Sequence, residues 1–388
     1  FNGNKGEQDQ TSIEVRYSST FSDRFNFVVG VNQFQQDYSI GERRNFFIAL
    51  NSATYSETEH DTFGIFGEIN FNVTDALSLT AGGRWTKEEK SIDIGILGSC
   101  ELDFSSCTNN ASNEKDWSNF SPKVAAQYQF TDDMMAYASW TRGFASGVFN
   151  ARAATLDAVG PTDPESVDSI EVGFKTSFLD GRGIFNIAYF QADYEDLILF
   201  VNNPCDDCGA SLINFNAGEA EISGFEAEVQ FQPVEGLRLE ASVGTVDPEF
   251  TSIKYFDANA DGVVDSKDNA LARTWDFQKV AELSYNVAGT YTMNMARGGS
   301  LMTRAAYSWR DDYMTDLYNK PWLQQKSFGL LDASLTYTSP NQSVRVSVYG
   351  KNLTDEEYFD YAADVGTLDS ARWGGAPRTY GVRVSYQY

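Results

Sequence analysis

Phe63-Gly64-Ile65-Phe66-Gly67-Glu68-Ile69-Asn70-Phe71-Asn72-Val73 decides the fold. Phe63, Ile65, Gly67, Ile69, Phe71 and Val73 share one parity. Thr62, Gly64, Phe66, Glu68, Asn70 and Asn72 share the other. A period of two marks a strand with one apolar and one wet face. After the turn residues Thr74-Asp75-Ala76 the pattern resumes, with Leu77, Leu79, Ala81, Gly83 and Trp85 against Ser78, Thr80, Gly82, Arg84 and Thr86. Residues 122–130, 225–231, 281–291, 331–337 and 380–388 alternate in the same way. The runs reach about ten residues or more, the length a tilted strand needs to cross a bilayer. Strands of a soluble sandwich are shorter. The wet faces regularly carry Glu, Arg, Asp and Lys, which suits a water-filled lumen.

Working outward, short turns alternate with long polar segments. The turns are Phe21-Ser22-Asp23-Arg24, Thr74-Asp75-Ala76, Thr131-Asp132-Asp133, Leu179-Asp180-Gly181-Arg182, Pro233-Val234-Glu235-Gly236, Ala296-Arg297-Gly298-Gly299 and Ser339-Pro340-Asn341-Gln342. Long loops are expected near 38–60, 91–116, 144–165, 202–212, 251–276, 311–326 and 354–376. Short turns at one end and long loops at the other predict an all-β, antiparallel transmembrane β-barrel with its long loops outside the cell. The turns mark off about fifteen strands. A closed single-chain barrel has an even number, and an open sheet edge in lipid is costly, so further strands are expected ahead of residue 1 or on a second chain.

Composition narrows the function. The 388 residues hold 55 acidic and 29 basic side chains, a formal charge of −26. That balance excludes a general nucleic-acid binder. No run approaches the apolar length of a membrane helix. His60 is the single histidine, which excludes multi-histidine metal and haem sites. The first residues, Phe1-Asn2-Gly3-Asn4-Lys5-Gly6, lack the basic and apolar regions of a signal peptide. Removal by processing, or an origin in a longer polypeptide, is expected. Four cysteines fall into two close pairs, Cys100 with Cys107 and Cys205 with Cys208. Of three connectivities the two local disulfides are favoured, in an oxidising compartment. The rival reading of Cys205 and Cys208, a redox pair or half a zinc site, finds no cation among Pro204, Asp206, Asp207 and Gly209 to lower a thiol pKa.

Asp257-Ala258-Asn259-Ala260-Asp261-Gly262-Val263-Val264-Asp265-Ser266-Lys267-Asp268 fits the calcium-loop pattern. Asp257, Asn259 and Asp261 supply side-chain oxygens, Val263 a carbonyl, Asp265 the ninth position and Asp268 the twelfth. With no helical pattern beside it, a structural Ca²⁺ clamp on an outer loop is expected. Aromatic and polar loop residues are candidate ligand contacts: Phe149, Asn150, Arg152, Tyr313, Tyr318, Trp322, Arg372 and Trp373. The interfacial aromatic belt competes for the same residues. Acidic neighbours Asp206-Asp207, Asp311-Asp312 and Asp355-Glu356-Glu357 form no nucleophile–base constellation, so no catalytic residue is assigned and the chain is not expected to be an enzyme.

Gly350-Lys351-Asn352-Leu353-Thr354-Asp355-Glu356-Glu357-Tyr358 resembles the motif near the end of TonB-dependent outer-membrane receptors. Gly375-Ala376-Pro377-Arg378-Thr379-Tyr380-Gly381-Val382, with the aromatic terminus, is similar to that family's final strand. Thr141-Arg142-Gly143-Phe144, Asn216-Ala217-Gly218-Glu219 with Gly224-Phe225-Glu226, and residues 77–85 resemble its internal strands in the same order. The resemblance implies that residues 1–388 are the C-terminal part, about the last fifteen strands, of a 22-stranded barrel. It implies a plug and a box that engages the TonB complex, both outside this sequence. It further implies energised uptake of a scarce nutrient, most commonly an iron–siderophore complex. Tyr380, Val382, Val384, Tyr386 and Tyr388 resemble the signal read by the barrel assembly machinery. Outer-membrane lipid and lipopolysaccharide are the expected surroundings. Gly143-Phe144-Ala145-Ser146 departs from the family's haem-uptake box. A passive porin, or a calcium-stabilised surface assembly or adhesion scaffold, are the alternatives.

Overall fold

A computed structural model describes residues 3–46, 50–96, 109–153, 156–205, 209–253, 265–317, 319–364 and 370–388. Its strands are β1 (Gly3–Ser18), β2 (Phe25–Phe46), β3 (Leu50–Asn72), β4 (Leu77–Ile96), β5 (Asn109–Thr131), β6 (Met134–Ala145), β7 (Glu165–Phe178), β8 (Gly183–Cys205), β9 (Gly209–Val234) and β10 (Leu237–Ile253). A short helix α1 (Ser266–Ala272) precedes β11 (Leu283–Asn294) and β12 (Ser300–Arg310). There follow β13 (Tyr313–Met314), β14 (Gln324–Gln325), β15 (Phe328–Thr338), β16 (Val344–Lys351), β17 (Phe359–Asp364), β18 (Ser370–Gly374) and β19 (Thr379–Tyr386). Fifteen strands form one antiparallel sheet in chain order from β1 to β12, then β15, β16 and β19. The two small hairpins, β13–β14 and β17–β18, belong to loops. No helix among the described residues is long and apolar enough to cross a membrane.

Register puts the quoted stretch on a continuous apolar face. Ile65 pairs with Val31 on one side and Trp85 on the other, and Trp85 pairs with Phe120. All four are exposed, as lipid-facing side chains are outside a bilayer. Two rows further along, past Phe63 and its partner Lys87, the same face turns charged. Asp61 stands opposite Glu89, which stands opposite Asp116. The apolar band therefore ends near Phe63 and Trp85.

The strands do not end there. Segments 38–60 and 91–116, expected as loops, are largely strand: β2 runs to Phe46, β3 starts at Leu50, and β4 and β5 extend to Ile96 and from Asn109. Segment 202–212 is likewise mostly β8 and β9. Ladder hydrogen bonds need only backbone, so pairing continues where the alternation of hydrophobicity has stopped. The expectation that no helix flanks the calcium motif is also corrected, since α1 begins within its last residues, at Ser266.

Candidate functional site: two loop assemblies on the polar face

At the long-loop end, the segment between β6 and β7 folds back over the polar face of β2–β5 as a strap. Arg152 clamps Glu42 of β2 with two bonds, Nε at 2.7 Å and Nη2 at 2.6 Å. Ser56 Oγ on β3 donates to the Ala151 carbonyl at 3.2 Å. Ala153 and Val159 bury against Ile92 and Ile94 of β4. Gly147 is the close approach: a Cβ there would lie 2.0 Å from the Thr162 carbonyl and 2.6 Å from the Trp117 ring.

A charged network holds the strap's start. Lys90 Nζ donates to Ser146 Oγ at 2.6 Å and to the Gly147 carbonyl at 3.0 Å. Ser146 Oγ donates to Glu88 Oε2 at 2.7 Å, which also meets His60 Nε2 at 2.9 Å. These groups sit above the apolar band, where the outward neighbours are Lys87 and Glu89. The His60 contact, helped by Ser146 and Lys90 and opposed by burial, holds the Glu88 carboxyl down at about 2. Burial pushes the Lys90 ammonium below its usual range.

The second assembly caps β8–β10. Ala217, Ala220, Phe250, Ile253, Ala272 and Leu317 form its buried core. Phe277 stacks on Phe250 with centroids 4.0 Å apart. Asn319 Nδ2 donates to the Asp276 carbonyl at 3.0 Å, joining the β10–β11 and β12–β15 loops. Gln325 Oε1 accepts from Phe359 N at 2.9 Å, and Arg372 Nη2 donates to the Trp322 carbonyl at 2.5 Å, adding the β17–β18 hairpin.

On this scaffold three loops present one aromatic–cationic patch. Trp322 is 52% exposed, Trp373 53% and Tyr361 37%. Tyr361 and Trp373 face each other across the hairpin with centroids 5.1 Å apart. Lys279 Nζ lies 4.5 Å from the Tyr361 centroid, and the Arg372 guanidinium 5.4 Å from that of Phe359. Exposed ring faces beside cations, on loops held by a packed core, suit capture of a flat, π-rich, anionic group.

The expected contacts thus divide. Trp322, Arg372 and Trp373 come together. Asn150 and Tyr313 are buried, Phe149 packs on Trp117, and Arg152 is spent on Glu42, so these four build scaffold. Tyr318 lies outside the described residues. Lys279, Phe359 and Tyr361 were missed. The alternation of Phe359 and Tyr361 opposite Trp373 was the available signal for the hairpin. Of the calcium motif, Asp257, Asn259, Asp261 and Val263 lie outside the described residues. Asp265 caps α1, accepting from Lys267 N at 2.7 Å, and buried Asp268 accepts from Asp265 N at 2.7 Å. Cys100, Cys107 and Cys208 lie outside the described residues, as does the Cys205 side chain. Tyr380, Val382, Val384, Tyr386 and Tyr388 are all exposed on or just beyond β19.

The family model described as TonB dependent receptor-like, beta-barrel, matches residues 1–353. The chain belongs to the TonB-dependent receptor family. It is 23% identical over 331 residues to the ferripyoverdine receptor of Pseudomonas aeruginosa, covering 82% of this chain and 35% of that protein. It is 22% identical over 328 residues to the ferric-pyoverdine 358 receptor of Pseudomonas putida, covering 84% of this chain and 35% of that protein. Among solved structures, the ferric yersiniabactin uptake receptor FyuA of Yersinia pestis shares the fold with a TM-score of 0.83 at 17% identity, over 100% of this chain and 55% of that one. The ferripyoverdine receptor of Pseudomonas aeruginosa bound to ferripyoverdine superposes with a TM-score of 0.69 at 19% identity, over 99% and 49%. This TonB-dependent receptor chain thus spans about a third of these curated relatives and about half of the solved barrels.

Proposed function

We propose that this chain is the barrel part of an outer-membrane receptor that imports an iron–siderophore complex, with the long loops outside the cell. The observation that carries the reading is the Trp322–Tyr361–Trp373 patch with Lys279 and Arg372, presented at the loop end of a TonB-dependent receptor barrel. The relatives named above are receptors for ferric pyoverdines, and the patch chemistry suits an anionic chelate with an aromatic part. On this reading the whole protein carries a plug inside the barrel and an energy-coupling box that the TonB complex pulls. It is a transporter, not an enzyme. β19 serves as the signal for the barrel assembly machinery, and the wall above the apolar band contacts lipopolysaccharide. The test is binding of radio-iron-labelled ferric siderophores, ferripyoverdine among them, to the purified whole receptor. Saturable binding that weakens in Trp322→Ala/Trp373→Ala supports the reading. Absence of binding across the panel counts against it.

We also propose that residues 257–268 hold a structural Ca²⁺ and that the two local cysteine pairs form disulfides. The observation favouring calcium is where α1 begins. Its N-cap is Asp265, the ninth position of the motif, and Asp268, the twelfth, lies in the first turn. Asn269 Oδ1 accepts from Ile253 N at 2.9 Å, so the flanks of segment 254–264 are tied at their base.

A further inference from the structure

The aromatic–cationic patch draws on three loops, and they are not joined alike. The β10–β11 and β12–β15 loops meet along their backbones. Asn319 Oδ1 accepts from Asp276 N while its Nδ2 donates to the carbonyl of the same residue, so one carboxamide pairs with Asp276 as a strand neighbour would. Asn319 has a φ of 51°, a left-handed setting in which Asn is favoured. Gln278 Nε2 donates to the Thr315 carbonyl at 2.7 Å, and Lys279 N to the Met314 carbonyl at 2.7 Å. Lys279 and Trp322 therefore share one platform.

The β17–β18 hairpin, which brings Tyr361 and Trp373, meets that platform through side chains. Arg372 reaches the Trp322 carbonyl from the exposed side. Tyr358 stacks on Phe328 with centroids 4.6 Å apart. Stacked rings tolerate offset, whereas a hydrogen bond fixes direction. The buried hydrogen-bonding tie is Gln325, which is 3% exposed, lies opposite Tyr313 and follows Trp322 by three residues. Its Oε1 accepts from Phe359 N at 2.9 Å, and its Nε2 donates to the Lys326 carbonyl at 2.6 Å. Phe359 is opposite Gly374 at the base of the hairpin, so the bond fixes where β17 starts. Two residues on, Tyr361 stands under Lys279 Nζ and faces Trp373. An apolar side chain at 325 would leave Phe359 N without its acceptor. A carboxylate would face the Lys326 carbonyl with no proton to give. A carboxamide serves both.

We propose that Gln325 is a positioning residue for the ligand patch, holding the hairpin so that Tyr361 and Trp373 already stand beside Trp322 and Lys279 before a ligand arrives. This rests on the receptor reading above, which makes the patch a capture site. Without the tie only a fraction of the molecules has the patch assembled, and apparent affinity falls by that fraction. Loss of a direct ligand contact acts differently and mainly speeds dissociation.

The test uses the purified whole receptor and the panel of ferric siderophores above, ferripyoverdine among them. Gln325→Met keeps the length of the side chain and neither of its hydrogen bonds. It is expected to slow association about tenfold and to leave dissociation as in the wild type. In the ligand-free receptor it is expected to speed hydrogen exchange of the 359–362 amides. Gln324→Met, at the neighbouring residue whose side chain holds Asp312, is expected to match the wild type in both. Heat-dependent gel mobility confirms that each barrel has folded. A folded Gln325→Met variant that associates as fast as the wild type would overturn the inference, whatever its exchange, and leave the receptor reading standing. Faster dissociation at unchanged association would overturn it too and make Gln325 a ligand contact. A wild type that binds none of the panel would overturn the receptor reading, and this inference with it.

Discussion

The Tyr137 ring of β6 lies over Gly173, its direct partner on β7, so closely that a Cβ on the glycine would come within 2.4 Å of the ring. The arrangement recurs where Phe66 covers Gly30, Phe190 covers Gly224 and Tyr349 covers Gly381. Each ring fills the space left by a missing side chain, which pins register between neighbours. Gly173→Ala is therefore expected to destabilise the barrel by about 1–3 kcal/mol, the usual cost of overpacking. Urea unfolding in lipid vesicles measures it. Gly374→Ala, where nothing lies within 4 Å, is the matched control and should leave stability unchanged.

The strap should loosen in acid. Glu88 has its carboxyl depressed to about 2 from an ordinary 4.5. A depressed carboxyl contributes stability above its unfolded value and loses it as pH falls through the folded one. Attachment is thus full above about pH 4.5 and fades toward pH 2, a contribution of roughly 2–3 kcal/mol at neutral pH. Hydrogen exchange of the amides in 148–153, corrected for intrinsic pH dependence, should accelerate over that window. Glu88→Gln should exchange fast at neutral pH and lose the pH dependence.

The patch should govern capture and not stability. Trp322→Ala and Trp373→Ala are each expected to weaken ferric-siderophore binding by about 1–2 kcal/mol, as truncation of an exposed aromatic anchor does. Urea midpoints should match wild type, because both rings are more than half exposed. Tyr313→Ala should do the reverse and cost stability first, since Tyr313 is buried.

Calcium should stabilise the second assembly. At a hundredfold excess over Kd a bound ion contributes about 2.7 kcal/mol to whatever it holds folded. Protease cleavage between β10 and α1 should slow on adding Ca²⁺ and quicken with chelator. Asp257→Asn/Asp261→Asn should cleave at the chelator rate under both conditions.

Fold was legible because lipid imposes a strict alternation on every strand that crosses it. Residues 63–73 therefore betrayed β3, and the Asp- and Gly-rich turns fixed the strand count. The upper wall was not legible: Asp61, Glu89 and Asp116 carry no apolar signal, yet their backbones stay in the ladder. The loop site was half legible. Trp322 and Trp373 stood out as residues, but their meeting depends on contacts between distant loops, such as Arg372 to the Trp322 carbonyl. Asn352, singled out only through family resemblance, has a local role. Its side chain donates to the Glu356 and Ala376 carbonyls at 2.9 and 3.2 Å, tying the end of β16 to the start of β19.

Energised import is tested most directly by radio-iron uptake into iron-starved cells expressing the whole receptor. Cells with and without a working TonB complex are compared, each given the ferric siderophore that the purified receptor binds. Accumulation that saturates with ligand and falls to background without TonB is the predicted result. Uptake that rises linearly with concentration and ignores TonB would contradict it and point to a passive pore.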